Sequence, residues 1–425
     1  MKNIVSARIL ALSFGLLFPV FLNAQNPDSA LQYRRSSLYS IMVSHPDQKM
    51  DAEIVGAFME LETPDKYNDH NLSVKCVTTS SRNSNARAEI ALFLQRNNVA
   101  KRLVSKWFQR NKETGGFDAD LVLERGLYDA SVTDIEIASQ SKRGVDALAD
   151  KGYELIENTF VIVNDITYVD HEANADVATG IMSIIGGVAS VVTGDEDNII
   201  TSLTTLGSLV SSSIAGFAVN INTHLYKLDW NDSVANYFYE HYYYEKPADD
   251  SASLAAFYAD ADIAARKAAF EADSTTFKLK YIGSYKSRSD KPVLRGLYNP
   301  EDVFRKVLAR AVDKNIVNLQ WKFDQFKVKV PVNTVNGNRL TAKIGLKEGV
   351  SAKSKYEVLV PVFDEVTGKI SYTRKGIIRP EPGMIWDNRY MASEEQAAGS
   401  GLNSTTFRII SGTGILPGML IREIK

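Results

Sequence analysis

The first part of the chain alternates between helical and strand-like patterns of hydrophobic residues. Apolar residues between 90 and 108 recur at three- and four-residue spacing, which predicts a helix that the glycine pair at 115–116 ends. The run 117–124 alternates and predicts a strand. Residues 131–157 predict a helix, and the β-branched run 160–169 predicts another strand. This order favours a sheet covered by helices.

The alternation of apolar and polar residues that is typical of strands reappears at residue 219. Residues 219–230 alternate and predict a strand, a turn is expected at 231–232, and the aromatic run 237–244 predicts a second strand, so the pair indicates a hairpin. Three further elements are expected, namely an Ala- and Asp-rich helix within 247–276, a strand at 277–285 and a helix that begins at Asn299–Pro300.

The pattern of hydrophobic and polar residues changes near Phe326. Short alternating runs are separated by turn residues, among them Asn336–Gly337, a strong two-residue hairpin signal. Residues 391–404 are rich in Ala, Ser, Glu and Gly and predict a mobile loop. The fold class is therefore α+β, with an α/β sheet domain over 25–325 and a small β domain, barrel- or sandwich-like, over 326–425.

Residues 170–222 form a hydrophobic insertion in the first domain. Neither Val177–Gly194 nor Ile199–Tyr226 contains a charged residue, and an acidic turn at 195–198 separates them. Both arms show helical spacing, which predicts two antiparallel helices at 177–194 and 199–218. The bulky positions expected to contact a partner or a membrane are Ile181, Ile184, Val188, Val191, Leu203, Leu206, Val210, Ile214 and Phe217. The small residues expected to form a seam between the helices are Gly180, Ser183, Gly187, Ser190, Thr201, Thr205, Ser208 and Ser212.

Three environments suit such an insertion. It packs against its own domain or a second copy of the chain, it contacts a membrane through 177–218, or it is poorly ordered. Each arm is about 27–30 Å long as a helix, close to the thickness of a bilayer core. Ser and Thr in the second arm lower its hydrophobicity, which favours contact with protein.

The N-terminal residues carry the features of a secretory signal. Lys2 and Arg8 precede an apolar run over 9–22, and Ala24 is followed by polar residues. We expect a signal peptide at 1–24, with an uncleaved anchor as the alternative. The expected location is the periplasm or the outer-membrane periphery of a Gram-negative bacterium.

The amino-acid composition limits the kinds of functional site that we expect in this chain. With 49 Lys and Arg against 51 Asp and Glu, nothing indicates nucleic-acid binding. The single cysteine, Cys76, excludes an intrachain disulfide and a Cys-rich metal site. We find no linear catalytic motif, so no catalytic residue, cofactor or metal is predicted.

Three weaker candidates have simpler explanations. Asp65, Asp69 and His70 suit a metal, but the loop is better explained by Asn and Asp side-chain hydrogen bonds. The acidic turn at 195–197 suits calcium, but a solvated acidic turn is the better explanation. The aromatic run 237–244 suits sugar stacking, but packing on the domain is the simpler explanation.

The order of parts resembles a known family. FDADLVLERGLY at 117–128, ENTFVIVNDI at 157–166 and HLYKLDWND at 224–232 resemble strands of the curli secretion channel (CsgG-like) family. The tail, with IGLKEGVS at 344–351 and YEVL at 356–359, is similar to the C-terminal domain of flagellar assembly protein T. The resemblance implies an envelope scaffold that assembles with itself or with neighbours. The family's β-barrel pore is not carried over, because the insertion has helical spacing.

Three functions remain open on the sequence. The first is a non-enzymatic exported scaffold or assembly protein that acts through a homo-oligomer or an envelope complex. The second is a membrane-inserting or pore-associated component. The third is an unrecognised periplasmic hydrolase or ligand-binding protein, whose catalytic groups converge from distant positions.

Overall fold

The computed structural model describes residues 36–78, 86–122, 125, 155–170, 214–247, 250–294, 300–363, 370–392 and 401–424, all within one compact unit. The elements of the first part are β1 (Ser37–Ser44), α1 (Asp51–Met59), β2 (Asn68–Asp69), β3 (Cys76–Thr78), α2 (Ala86–Arg96), α3 (Val99–Trp107), β4 (Thr159–Asp170), β5 (Ile214–Leu228), α4 (Asp232–His241), α5 (Ser251–Ala259), α6 (Ala261–Ala272), β6 (Leu279–Leu294) and α7 (Pro300–Lys322).

The second part is built from short strands. After 3₁₀ turns at Asp324–Phe326 and, later, Leu346–Glu348, its strands are β7 (Val330–Pro331), β8 (Thr334–Asn336), β9 (Arg339–Ala342), β10 (Lys355–Phe363), β11 (Ile370–Pro380), β12 (Thr405–Gly412) and β13 (Leu420–Ile424). They form one antiparallel sheet in the order β7-β13-β10-β11-β12-β9-β8, which curls into a half-barrel. The predicted fold class, an α/β sheet followed by a small β domain, is confirmed.

The first sheet is mixed. Its order is β2-β1-β4-β5-β6, and β3 also pairs with β1, beyond β2 on the same side. Strand β1 runs parallel to β2, β3 and β4, whereas β4, β5 and β6 are antiparallel. Helices α1 and α7 cover one face, and α2 and α3 cover the other. Strand β1 is buried on both faces, as expected of a central strand.

A chain of hydrogen-bonded polar side chains, buried at its centre and half-buried at its two ends, crosses this sheet under α7. Ser287 on β6 donates to the amide oxygen of Asn315 on α7, whose Nδ2 donates to Thr223 Oγ1 on β5 at 2.9 Å. Thr223 in turn donates to Asn164 Oδ1 on β4 at 2.8 Å, and Asn164 Nδ2 donates to Ser40 Oγ on β1 at 3.4 Å. Because these groups are enclosed, the chain fixes the position of α7 on the four strands.

Aromatic side chains form a separate core beyond one end of the sheet. Trp107, Phe108, Phe117 and Phe238 are each 0 % exposed, and the ring centroids of Phe108 and Phe238 lie 4.7 Å apart. This core explains why helix α4 carries so many aromatic residues.

Two predicted strands are wrong. Residues 237–244 do not form a strand, since 232–241 are helical, and Asn231 caps that helix by accepting from the backbone N–H groups of Ser233 and Val234 at 3.1 Å. In the strand predicted at 117–124, the described residues 117–122 do not form a strand either. Phe117 makes one isolated bridge to Glu245, and helical residues begin at 120.

Other predictions need adjustment. The helix expected over 90–108 is two helices, because Asn98 adopts a left-handed conformation between them with φ 49°. The β-hairpin at Asn336–Gly337 is confirmed, with Gly337–Asn338 as its loop. Phe326 is buried in the core of the first sheet, so the domain boundary near 325 stays a prediction. Within the described ranges, no helix is long and apolar enough to span a bilayer.

Alanine substitutions at two glycines of the first part are expected to change the free energy of unfolding in opposite directions. A Cβ on Gly283 of β6 would overlap the ring of Phe323, whereas a Cβ on Gly56, in the middle of α1, would meet nothing. We expect Gly283→Ala to lower the free energy of unfolding by about 1–3 kcal/mol through overpacking. Gly56→Ala should raise it by about 0.5–1 kcal/mol through helix propensity. Chemical denaturation of both variants measures this, and a neutral Gly283→Ala would contradict the contact.

Candidate functional site

The carboxyl ends of the parallel strands β1, β3 and β4 lie at one edge of the first sheet. From β1 the chain passes to β2 and β3 on one side and then crosses to β4 on the other. In open sheets with parallel strands, such a reversal of strand order leaves a crevice at the carboxyl edge where ligands commonly bind. This edge is therefore a candidate binding site.

Five polar side chains meet at this edge, and we call Ser44, His45, Gln48, Asp51 and Asp165 the edge network. Ser44 donates to Asp51 Oδ2 at 2.6 Å, and the backbone N–H of His45 donates to Asp51 Oδ1 at 2.8 Å. His45 Nε2 lies 2.6 Å from Asp165 Oδ1 on β4. The network thus joins the end of β1 and the start of α1 to β4.

Gln48 extends the hydrogen bonding of β4 beyond the end of β1. Its Nε2 donates to the Ile166 carbonyl at 3.2 Å, and its Oε1 accepts from the Tyr168 N–H at 3.1 Å. Strand β1 pairs with β4 only as far as Val43 and Asp165. The side-chain amide of Gln48 therefore satisfies backbone groups that an adjacent strand would otherwise bond.

The surroundings at this edge shift the pKa values of two side chains, Asp51 and Cys76. Burial acts to raise the pKa of Asp51, but hydrogen bonds from Ser44, Gln48 and the His45 N–H outweigh it, so the pKa lies below its usual range. Asp51 also begins α1, where the helix dipole favours a negative charge. Burial, with the nearby charge of Asp51, raises the pKa of the Cys76 thiol. The thiol is therefore poorly suited to act as a nucleophile.

The edge network does not have the geometry of a nucleophile and its base. Such a pair needs the hydroxyl to donate to the histidine, whereas Ser44 donates to Asp51 and His45 pairs with Asp165. Within the part of the chain that the structure describes, no group of three His, Cys, Asp or Glu residues is placed to hold a metal ion. The arrangement braces strands against each other.

Strands β4, β5 and β6 continue past this edge as a three-stranded ribbon, made of residues 166–170, 214–221 and 287–294. In its register Ile166 pairs with Ile221, Asp170 pairs with Phe217, and Ile214 pairs with Leu294. At about 3.4 Å per residue, the β5 segment of the ribbon is about 24 Å long. The insertion predicted at 170–222 overlaps two strands of the ribbon, and its residues 171–213, between Asp170 of β4 and Ile214 of β5, lie outside the described residues.

The predicted contact residues fall into two groups. Ile214 and Phe217 lie in β5, so the helix expected over 199–218 is wrong from residue 214 onward, where pairing with β6 overrides the helical spacing. The other contact residues lie outside the described residues, namely Ile181, Ile184, Val188, Val191, Leu203, Leu206 and Val210. The seam residues Gly180, Ser183, Gly187, Ser190, Thr201, Thr205, Ser208 and Ser212 also lie outside them.

His70 is a core residue. It is 0 % exposed, its Nε2 donates to the Leu103 carbonyl at 3.0 Å, and its ring stacks on Trp107 at 4.8 Å. Its loop is held by side chains, as the sequence indicated, with the Asn71 N–H donating to Asp69 Oδ1 at 2.9 Å. The acidic turn at 195–197 lies outside the described residues.

The edge network was missed on the sequence. His45 and Asp165 are 120 positions apart, and strand β1 was not predicted. One signal was present, because Asn164 and Asp165 interrupt an otherwise apolar strand. Polar residues inside a strand of that kind point to buried hydrogen bonding.

Comparison with known proteins does not assign the chain to a family. No protein-family model matches the chain, and no curated protein matches it. Of the segments that carry the resemblance to the curli secretion channel family, 157–166 contributes to β4, whereas the described residues 117–122 of the first segment do not form a strand. The resemblance stays a prediction.

The burial of His70 predicts a pH dependence of stability. Burial, helped by the charges of Lys106 and Arg125, lowers the pKa of His70 to about 3, although the Leu103 carbonyl acts in the opposite direction. The unfolded chain therefore binds a proton below its pKa of 6.5 that the folded chain does not bind. Stability should fall between pH 6.5 and 3, with His70 contributing about 1.4 kcal/mol per pH unit. His70→Gln keeps a donor but should lack this contribution; equal pH slopes in urea denaturation would contradict the assignment.

The bracing role of Gln48 is tested by its removal. Gln48→Ala deletes both hydrogen bonds to β4 and should lower the free energy of unfolding by about 1–2 kcal/mol. Amide exchange at Tyr168, whose N–H donates to Gln48, should accelerate most. Asp47→Ala, an exposed neighbour in the same turn, is the matched control. Unchanged exchange at Tyr168 in Gln48→Ala would show that the ribbon holds without the edge network.

Proposed function

We propose that the protein is a non-enzymatic, exported scaffold or assembly protein of the bacterial envelope, and that segment 171–213 makes its contact with a second copy or a protein partner. The observation that carries the proposal is the ribbon of β4, β5 and β6. It continues past the other strands of the sheet and holds both ends of the segment at one place.

The position of the segment supports an interaction role. Asp170 and Phe217 are directly paired, so described residues on the two sides of segment 171–213 are neighbours in the sheet. Its two arms contain no charged residue at 177–194 or 199–213, and apolar sequence of this length favours burial against another molecule.

The edge network supports the same role. His45 and Gln48 hold β4 where it leaves β1, so the base of the ribbon is fixed to the sheet. A rigid base suits an element that bears a contact at its far end. The hydrolase alternative gains no support at this edge, because Ser44 donates to Asp51.

A membrane-inserting role is the second candidate. The absence of charge in both arms favours it, since a charged side chain in a bilayer core is costly. The location in the periplasm or at the outer membrane rests on the leader at 1–24, and the scaffold role also agrees with the resemblance to the curli secretion channel family.

Replacing segment 171–213 tests the proposal. Because its flanking residues are paired, a flexible linker of about six Gly and Ser residues should close the gap without disturbing the sheet. We expect the replaced protein to unfold within a few degrees of wild type and to be monomeric by light scattering, whereas wild type self-associates or retains its cross-linked partner in native cells. The same linker in place of 393–400 is the control.

Two outcomes would contradict the proposal. If the replaced protein keeps the oligomer and cross-linked partners of wild type, the contact lies elsewhere on the molecule. If wild type is monomeric without a partner and floats with phosphatidylethanolamine–phosphatidylglycerol vesicles, while the replaced protein does not, the membrane role is correct.

A further inference from the structure

A cleft of about 370 Å³ lies between the two parts of the fold, on the α1 and α7 side of the first sheet. Its apolar wall comes from β1, α1, β4 and α7, and includes Leu38, Phe58, Ile162, Val312 and Ile316. The second part closes it with the 3₁₀ turn and the loop after β11. The volume lies within the range of small-molecule sites, which are mostly apolar with a few polar groups.

Asp313 on α7 lines this cleft. Its side chain is partly accessible from the cleft and otherwise enclosed by protein. It makes no hydrogen bond or ion pair with any residue that the structure describes. A carboxyl group that faces a cleft without a protein partner is an available acceptor for a ligand.

The charged groups that face Asp313 do not neutralise it. Arg310, one turn away on α7, donates instead to the Tyr390 carbonyl from Nε at 3.2 Å and Nη2 at 3.0 Å. Glu348 is held by Asn388 Nδ2 at 2.8 Å, and it adds negative charge together with Asp65. Lys347 acts on Asp313 through its charge alone, without an ion pair.

We propose that this cleft binds a small organic cation, a molecule with an apolar body and one protonated amine, and that the amine pairs with the carboxylate of Asp313. The apolar wall takes the body, and the carboxylate supplies the acceptor that an ammonium group needs. Besides Asp313, the cleft is lined by three positive side chains, Lys75, Arg305 and Lys347, and by two negative ones, Glu60 and Glu62, with Arg305 paired to Glu60. This excess of positive charge disfavours a second positive charge on the ligand. The site is independent of the proposed scaffold function.

The protonation of Asp313 links binding to pH. Burial raises the pKa of Asp313 to about 7, against the lowering effect of Lys347. An amine binds the ionised form, so its affinity should fall about tenfold between pH 8 and pH 6 as Asp313 takes up a proton. A neutral ligand in the same cleft should show no such change.

Titration calorimetry of the full chain with phenethylamine tests the site, with 2-phenylethanol as the neutral analogue of the same shape. At pH 8 we expect saturable binding of the amine near about 1 mM, and at least about tenfold weaker binding of the alcohol. Asp313→Asn should weaken the amine about tenfold and leave the alcohol unchanged. Asp324→Asn, in the exposed turn after α7, is the control and should bind as wild type.

Three results would overturn the proposal. The first is no saturable binding of phenethylamine up to about 20 mM. The second is equal affinity for the amine and the alcohol, which would mark an apolar pocket without a role for the carboxylate. The third is a folded Asp313→Asn that binds the amine as wild type does. If Asp313→Asn does not fold, the amine–alcohol comparison and its pH dependence in wild type decide the question.

Discussion

The buried hydrogen-bond chain from Ser287 through Asn315 and Thr223 to Asn164 is the constraint on which the first part of the fold depends. Asn315, Thr223 and Asn164 are each 0 % exposed, so any of them left without a partner would destabilise the fold by about 1–3 kcal/mol. A shift of one residue in any strand would turn these groups to the opposite face. These hydrogen bonds therefore favour one position of helix α7 on the sheet. Because α7 forms part of the wall of the cleft, they also determine the position of that wall.

The sequence predicted those elements whose local pattern agrees with their tertiary surroundings. Helix α7 combines a Pro at its first residue with a periodic apolar face, and strand β5 alternates, so both were predicted. Helix α4 was missed because β-propensity was read from its aromatic residues, whereas those residues fill the core around Phe108 and Phe117. Asn231, predicted to lie in a turn, is the N-cap of this helix. Tertiary packing decided between two local preferences.

The candidate site was beyond prediction for a different reason. His45 and Asp165 become neighbours only because β1 pairs in parallel with β4, and parallel pairing over so long a connection leaves no local signature. Asp313 likewise looks like one more charged residue of a helix until the second part of the fold encloses it. What the sequence did show was the absence of charge in the two arms of the insertion, because this property is one of composition and requires no knowledge of contacts.

The same buried chain bears on whether the cleft and the ribbon communicate. Its two ends are Ser40, which lines the cleft, and Ser287, which lies at the base of the ribbon. Coupling between distant sites requires an element with two arrangements of similar free energy. Asn315 uses both its amide oxygen and its amide nitrogen here, so a second arrangement would leave enclosed groups without partners. A fully bonded network of this kind is rigid, which favours two sites that work independently on one frame.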